Sequence, residues 1–254
     1  MEKELRPSSL PQALSLRRST AAYPLMYNTA GCNPAGKPLL YLSGCEEFTR
    51  MDTDGKLLHI GAGVTAQQLC KEKCVPELLH ATAELCPREK RGSVSLGGAL
   101  CFGNAPVVAA LGALDAKITV ASETGRRTMK LRRFLRNAQL SLARDELLCE
   151  ILISDRKGGS YSVERCGEDM AFSGFARWDH RRIAEFRLVF CGPDGVPVRF
   201  EELEENLLGK TVKDARELRD PLLNAYDRYL PLWDAQRRNT LLLQAGSFLR
   251  ENNI

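Results

Sequence analysis

Apolar and polar positions change places in short runs along the 254 residues, a pattern that predicts many small elements rather than a few long helices. SSLPQALSLRR, residues 8–18, has the spacing of a short helix, with Ser8 or Ser9 able to cap it and Pro11 suited to its first turn. Tyr23 to Asn33 begins as an apolar strand and ends in turn residues, and 39–42 is a second strand. Asp52-Thr53-Asp54-Gly55 is a turn before a strand over 56–62. Thr65 caps a helix over 66–73, and a further helix fits 76–85 with Leu78, Leu79, Ala81, Ala83 and Leu85 turned inward. The polar stretch 88–98 ends in the pair Gly97-Gly98. Residues 107–116 read as a helix, 117–122 as a strand, 123–126 as a tight turn with 127–131 as hairpin partner, and 147–154 as another strand.

Residues 155–160, DRKGGS, are polar and glycine-rich and mark a domain boundary. Beyond it the pattern predicts a strand at 161–164, a helix near 168–176, a strand at 183–190 and a turn at 191–195. Helices follow at 201–207 and 212–218, joined at Gly209-Lys210, and the final helix covers 235–250. The mixture is α+β with two or three layers. There is no internal repeat, coiled coil or low-complexity segment.

Composition narrows the classes. Hydrophobic residues make up 44% and charged residues 27%, enough to bury a sizeable core, and the net charge is +4. Basic residues cluster at Arg126-Arg127, at Lys130 with Arg132-Arg133 and at His180-Arg181-Arg182, but no nucleic-acid-binding module accompanies them, so nucleic acid is not the expected partner. The segment MEKELRPSSLPQAL lacks the apolar run of a signal peptide, and no stretch reaches the roughly 18 apolar residues of a membrane span. The expectation is a soluble, cytoplasmic protein without a membrane span. Nine cysteines at scattered spacing, with Cys70 and Cys74 the closest pair, match neither an iron–sulfur nor a zinc pattern and read as reduced thiols. His59, His80 and His180 form no metal-spaced pair, and no G-x-S-x-G elbow is present. Trp178, Trp233 and their neighbouring arginines suit either local packing or partner contacts.

The informative stretch is Arg91-Gly92-Ser93-Val94-Ser95-Leu96-Gly97-Gly98. A glycine pair lets backbone approach a ligand closely and present N–H groups to an anion such as pyrophosphate, and Ser95 adds a hydroxyl donor; the same pair also suits an ordinary turn. The order of segments adds weight to the first reading. PSSLPQALSL, then KLLHIGAGVTAQQL, KRGSVSLGGAL and ALDAKITVAS, then YSVERCGED at 161–169 and FEELEENLLGK at 200–210, resembles the FAD-binding medium subunit of molybdenum hydroxylases, of the xanthine dehydrogenase and carbon monoxide dehydrogenase type, over nearly the whole chain. The resemblance implies a two-subdomain flavin-binding fold of the vanillyl-alcohol-oxidase/PCMH kind over 1–155, with subdomains of about 1–55 and 56–155, and a C-terminal α+β domain of the CO dehydrogenase flavoprotein type over 156–254. It implies FAD as cofactor, held between the subdomains by one pyrophosphate loop from each. It further implies partners, a molybdopterin-binding large subunit and a [2Fe–2S] small subunit, with electrons passing through the clusters to the flavin and on to an acceptor.

Carried over residue by residue, the resemblance places a first loop at Asn28, Thr29, Ala30 and Gly31, and a second at Arg91, Ser95, Leu96, Gly97 and Gly98. The first loop departs from the family's Ala-Gly-Gly-Thr/Ser. Asn28 tolerates a left-handed backbone, whereas Thr29 is β-branched and its Cβ would crowd a phosphate oxygen. After the second loop the family's aspartate near the flavin is missing, and Asn104 is the residue available for hydrogen bonding there. Tyr161 and Arg165 are the candidates beside the flavin ring. Two functions stay open on these grounds: an FAD-binding electron relay with a modified clamp, and a flavin-free structural subunit of the same kind of complex.

Overall fold

The computed structural model describes residues 4–26, 37–135, 142–154, 158–167, 169–231 and 233–254. Two compact units are formed, one from Met1–Val75, Cys86–Phe102 and Asp115–Asp155, the other from Pro76–Leu85, Gly103–Leu114 and Arg156–Ile254.

The first unit holds two sheets. Strands β1 (Glu4–Leu5), β2 (Tyr23–Leu25) and β3 (Leu39–Tyr41) are parallel, in the order β1-β3-β2. Helix α1 (Leu10–Thr20) connects β1 to β2 and buries Leu10, Ala13 and Leu14. Ser9 is its N-cap residue without a capping side-chain bond; instead Gln12 accepts the Ser8 backbone N–H at 2.9 Å. After the four-residue helix α2 (Glu46–Thr49), strands β4 (Met51–Thr53), β5 (Leu57–Gly61), β6 (Lys117–Ser122), β7 (Gly125–Lys130) and β8 (Leu147–Ser154) build an antiparallel sheet in the order β4-β5-β8-β6-β7. Asp54 closes the β4–β5 turn by accepting the N–H groups of Lys56 and Leu57 at 2.8 and 2.7 Å, and Gly55 takes the positive φ of +85°. One face of this sheet carries Leu58, Ile60, Ile118, Val120, Ile151 and Ile153, each no more than 1% exposed, which is the apolar half of the period-2 pattern. The short helices α3 (Ala66–Leu69), α5 (Leu96–Cys101) and α7 (Leu131–Leu135) complete the unit.

The second unit is a four-stranded antiparallel sheet, β9 (Ser160–Cys166), β10 (Met170–Asp179), β11 (Arg182–Cys191) and β12 (Pro197–Val198), in the order β12-β11-β10-β9. Helices α4 (Glu77–Glu84) and α6 (Ala105–Ala113), which precede residue 155 in the chain, pack on one face. Gly112 of α6 meets Val189, and Arg187 donates to the Ala113 carbonyl at 3.1 Å, capping the helix end. Helix α8 (Glu201–Glu205) follows β12, and α9 (Val212–Tyr229) and α10 (Ala235–Glu251) cover the other face. There Phe172 lies with its ring centroid 5.4 Å from Phe190 and 6.1 Å from Phe248, and Phe190 lies 5.2 Å from Tyr226. Trp178 and Trp233 pack against this core. Glu204, buried in α8, accepts the Leu188 N–H at 3.0 Å and Arg199 Nε at 2.7 Å; burial pushes its carboxyl up to about 7, against the pull of Arg199.

Three expectations from the pattern are corrected. The segment near 168–176 is not a helix but part of β10, where Ala171, Phe172, Ser173 and Gly174 are all buried because helices cover both faces of the sheet, so no alternation is left to read. The stretch 88–98 is not polar loop to its end, because Gly97 and Gly98 form the first turn of α5. The helix starting at Val212 also runs on through Pro221 to Tyr229.

Because Phe172 is fully buried against two aromatic neighbours, Phe190 and Phe248, Phe172→Ala removes packing that the sheet and helices cannot recover. The expected loss is about 3–5 kcal/mol in denaturant unfolding.

Candidate functional site

The second loop is not free-standing. Leu96 N–H bonds the Val64 carbonyl at 2.8 Å and Gly97 N–H bonds Ala62 O at 2.7 Å. In return, Ala66 N–H bonds Val94 O and Gln67 N–H bonds Arg91 O, both at 3.0 Å, and Thr65 and Ser95 form a bridge between the two segments. Thr65 and Ser95 are also the two N-caps. Thr65 closes a capping box with Gln68 at the start of α3, while the Ser95 hydroxyl accepts Gly98 N–H at 3.2 Å at the start of α5. The segments read separately as IGAGVT and RGSVSLGG are therefore one paired structure in the first unit.

This pairing assigns different tasks to the glycines. A Cβ on Gly97 would lie 2.8 Å from the Ala62 carbonyl oxygen and 3.0 Å from Leu148 Cδ2, so Gly97 is needed for the helix to reach the strand. A Cβ on Gly98 would meet only the Ser95 hydroxyl, at 2.9 Å, and its flank is otherwise open. Gly63 makes room for the Met26 side chain, at the point where the chain enters the first loop. Asn28, Thr29, Ala30 and Gly31 themselves lie outside the described residues.

The fit to a pyrophosphate follows from where the donors go. The N–H groups of Leu96, Gly97, Gly98 and Ala99 are all committed to protein acceptors, the last to Ser95 O at 2.8 Å. The glycine pair thus does not offer free amides. What it offers is the Ser95 hydroxyl proton, the open flank of Gly98 and the positive end of the α5 backbone, with Arg88 and Lys90 exposed in the turn before it. These features suit an anion held by one hydroxyl and close approach. Arg91, which donates from Nε to the Cys86 carbonyl at 2.9 Å, shapes the same loop.

The structure brings Arg91, Ser95, Leu96, Gly97 and Gly98 together, whereas Asn104 and Tyr161 belong to the second unit. Asn104 is the N-cap of α6 and accepts Val107 N–H at 3.3 Å. Tyr161 stands on β9 opposite Phe175, partly exposed, and its phenol is pushed up by burial and by Glu77 and Glu84 of α4. Arg165 is exposed opposite Ala171 on the same strand. Among the described residues no three His, Cys, Asp or Glu side chains converge as a metal site, and no helix is long and apolar enough to cross a membrane.

One cluster escaped the sequence reading. His59 on β5 holds Glu150 at Nδ1, 3.0 Å away, and Asp54 at Nε2, 3.5 Å away. Only strand register, which pairs β5 with β8, brings residues 91 apart in sequence together. Burial works against the imidazolium, but the hydrogen bonds and charges of Glu150 and Asp54 outweigh it, and His59 is raised above its ordinary 6.5.

Comparisons with known proteins agree with this architecture. Reconstituted CO dehydrogenase from Oligotropha carboxidovorans contains a chain of the same fold, with a TM-score of 0.82 at 18% identity, covering 99% of this chain and 96% of that one. The caffeine dehydrogenase subunit beta of Pseudomonas sp. (strain CBB1) is 28% identical over 234 residues, covering 82% of this chain and 78% of that protein. The glyceraldehyde dehydrogenase medium chain of Sulfolobus acidocaldarius is 27% identical over 192 residues, covering 69% and 67%. Residues 5–154 match the FAD binding domain in molybdopterin dehydrogenase, and the chain belongs to that family. FAD is its cofactor.

Since the His59 pKa is raised on folding, the ion pairs contribute fully below the unfolded-state value and fade as pH rises through the folded one. His59→Gln should therefore lower the melting temperature more at about pH 5.5 than at about pH 9. An equal loss at both values would show that the imidazole is not charged in this cluster.

Proposed function

We propose that the chain is the FAD-binding, electron-relaying subunit of a molybdenum hydroxylase complex, receiving electrons from [2Fe–2S] clusters on a small subunit while a molybdopterin-binding large subunit acts on the organic substrate. The observation that carries this reading is the paired Thr65/Ser95 structure with the open flank of Gly98, inside a segment that matches the FAD-binding family. Residues 1–155 would form the flavin-binding part and 156–254 the C-terminal domain. The relatives named as subunit beta and medium chain support assembly with other subunits. Nine cysteines at scattered spacing favour a reducing compartment such as the cytoplasm.

In this reading, the flavin supplies the redox chemistry when bound. The protein's part is placement. The Ser95 hydroxyl donates to a phosphate oxygen, Gly98 admits the pyrophosphate against the backbone, and Arg91 holds the loop in shape by its bond to Cys86 O. The family resemblance assigns Asn28, Thr29, Ala30 and Gly31 to the other pyrophosphate loop. Leu96 fills the core below α5, where it is 3% exposed. Asn104 acts by starting α6, and it is the family resemblance that puts Tyr161 forward as a residue for the flavin ring.

Purified protein should be yellow, with about one FAD per chain. Ser95→Ala and Gly98→Val should each lower the FAD content while far-UV circular dichroism stays native, whereas Gly97→Val should destabilise the fold itself by forcing Ala62 and Leu148 apart. Thr29→Gly should raise FAD affinity. A colourless protein that takes up no added FAD would instead identify a flavin-free structural subunit.

A further inference from the structure

The five-stranded sheet of the first unit has a second face. Register places Asp52, His59, Leu152, Lys117 and Lys130 side by side across β4, β5, β8, β6 and β7. The helix α2 covers this face only near Gly61, where a Cβ would run into the Phe48 carbonyl. Further along, Leu57 and Leu152 are half-buried and Lys117, Thr128, Lys130 and Arg126 are exposed. With strands about 4.8 Å apart, the row spans about 19 Å.

Charge on this face is polarised. Asp52, Asp54 and Glu150 flank His59 at one side, and the β6–β7 hairpin with α7 lies at the other. Residues 117–133 contain six Lys and Arg against one acid, Glu123, so the hairpin and the start of α7 together carry +5 while the whole chain carries +4. Lys117 and Lys130 stand directly opposite each other, and neither they nor Arg126 or Arg132 has a carboxylate partner among the described residues. Like charges in a cross-strand pair are destabilising. Protection of an edge strand against aggregation accounts for cations on β7. It does not account for Lys117, one strand in, nor for the open Leu57 and Leu152.

We propose that this face docks an acidic surface of another subunit of the complex, with Leu57 and Leu152 at the centre and Lys117, Lys130 and Arg126 meeting carboxylates at the rim. An apolar centre with a charged, salt-sensitive rim is the anatomy of a protein interface. A nucleic acid fits worse, because its phosphates would lie over Asp52 and Glu150 as well. The inference rests on the reading of the chain as a subunit of a complex.

The test co-expresses the chain with its molybdopterin and iron–sulfur subunits and treats the purified complex with a zero-length carbodiimide, which joins lysines to carboxylates in contact. Cross-links from Lys117 or Lys130 to Asp or Glu of another subunit are expected. Lysine acetylation at both positions should be at least about tenfold slower in the complex than in the free chain, as burial at an interface requires. The double variant Lys117→Glu/Lys130→Glu should bind the remaining subunits at least about tenfold more weakly at low salt, with the difference shrinking at high salt, while its FAD content and melting temperature stay as in the unaltered chain. A complex that assembles normally with both lysines as reactive as in the free chain overturns the docking face alone. So does a double variant that assembles unimpaired but loses binding to heparin, which would make the patch a polyanion site. Failure of the unaltered chain to assemble with these subunits overturns the subunit reading and the docking face together.

Discussion

Four backbone hydrogen bonds between residues 62–67 and 91–97 hold the first unit's chemistry in place. They join the end of β5 to the start of α5, and they let Thr65 and Ser95, neighbours in the bridge, each start a helix. The pairing constrains side-chain volume more than side-chain chemistry. Gly97 has to lie against the Ala62 carbonyl, Gly61 beneath the Phe48 carbonyl and Gly63 beneath Met26. At each of the three a Cβ would also come within 2.8 Å of a backbone carbonyl oxygen, that of Ala62 or Phe48, so it could be accommodated only by shifting the main chain. A single geometric requirement therefore explains three of the glycines in the two segments, and none of the three is explained by a ligand.

The same bonds decide what is left for a cofactor. Helix N-termini attract anions partly through free N–H groups, and here those groups are satisfied within the protein. The helix keeps the partial positive charge of its aligned peptides, which a six-residue helix supplies only weakly compared with a long one. Directional donation falls to one hydroxyl, Ser95, and access falls to one flank, Gly98. Selectivity at this loop comes from shape rather than from an array of donors.

How much of this could be read in the sequence depended on whether the signal was local. Strand β8 at 147–154, the β6–β7 hairpin with its Gly125 turn and the Thr65 cap all carry their signals in adjacent residues, and each is found as expected. The β10–β11 hairpin turns on His180 and Arg181, at φ +44° and +66°, where glycine or asparagine would have marked the turn. With that marker missing and β10 buried on both faces, its first half had the look of a helix. The segments IGAGVT and RGSVSLGG were both singled out, but the bonds between them join residues about 30 apart, and nothing local records them. The His59–Glu150 pair was hidden for the same reason, since it depends on the register of β5 against β8.

The two departures in the flavin loops bear on each other. A clamp with two loops can lose donors from one loop if the other compensates. Here the second loop contributes a hydroxyl and an open flank, while the first has Asn28 and Thr29 where glycines would let the backbone turn toward a phosphate. Thr29 has a branched Cβ where the family resemblance expects glycine, and the second loop has no free amide to offset what that would cost, because its amides are already bonded. On the proposed reading, retention of FAD turns on whether residues 28–31 allow close approach to the pyrophosphate, since the second loop has no spare amide to offer.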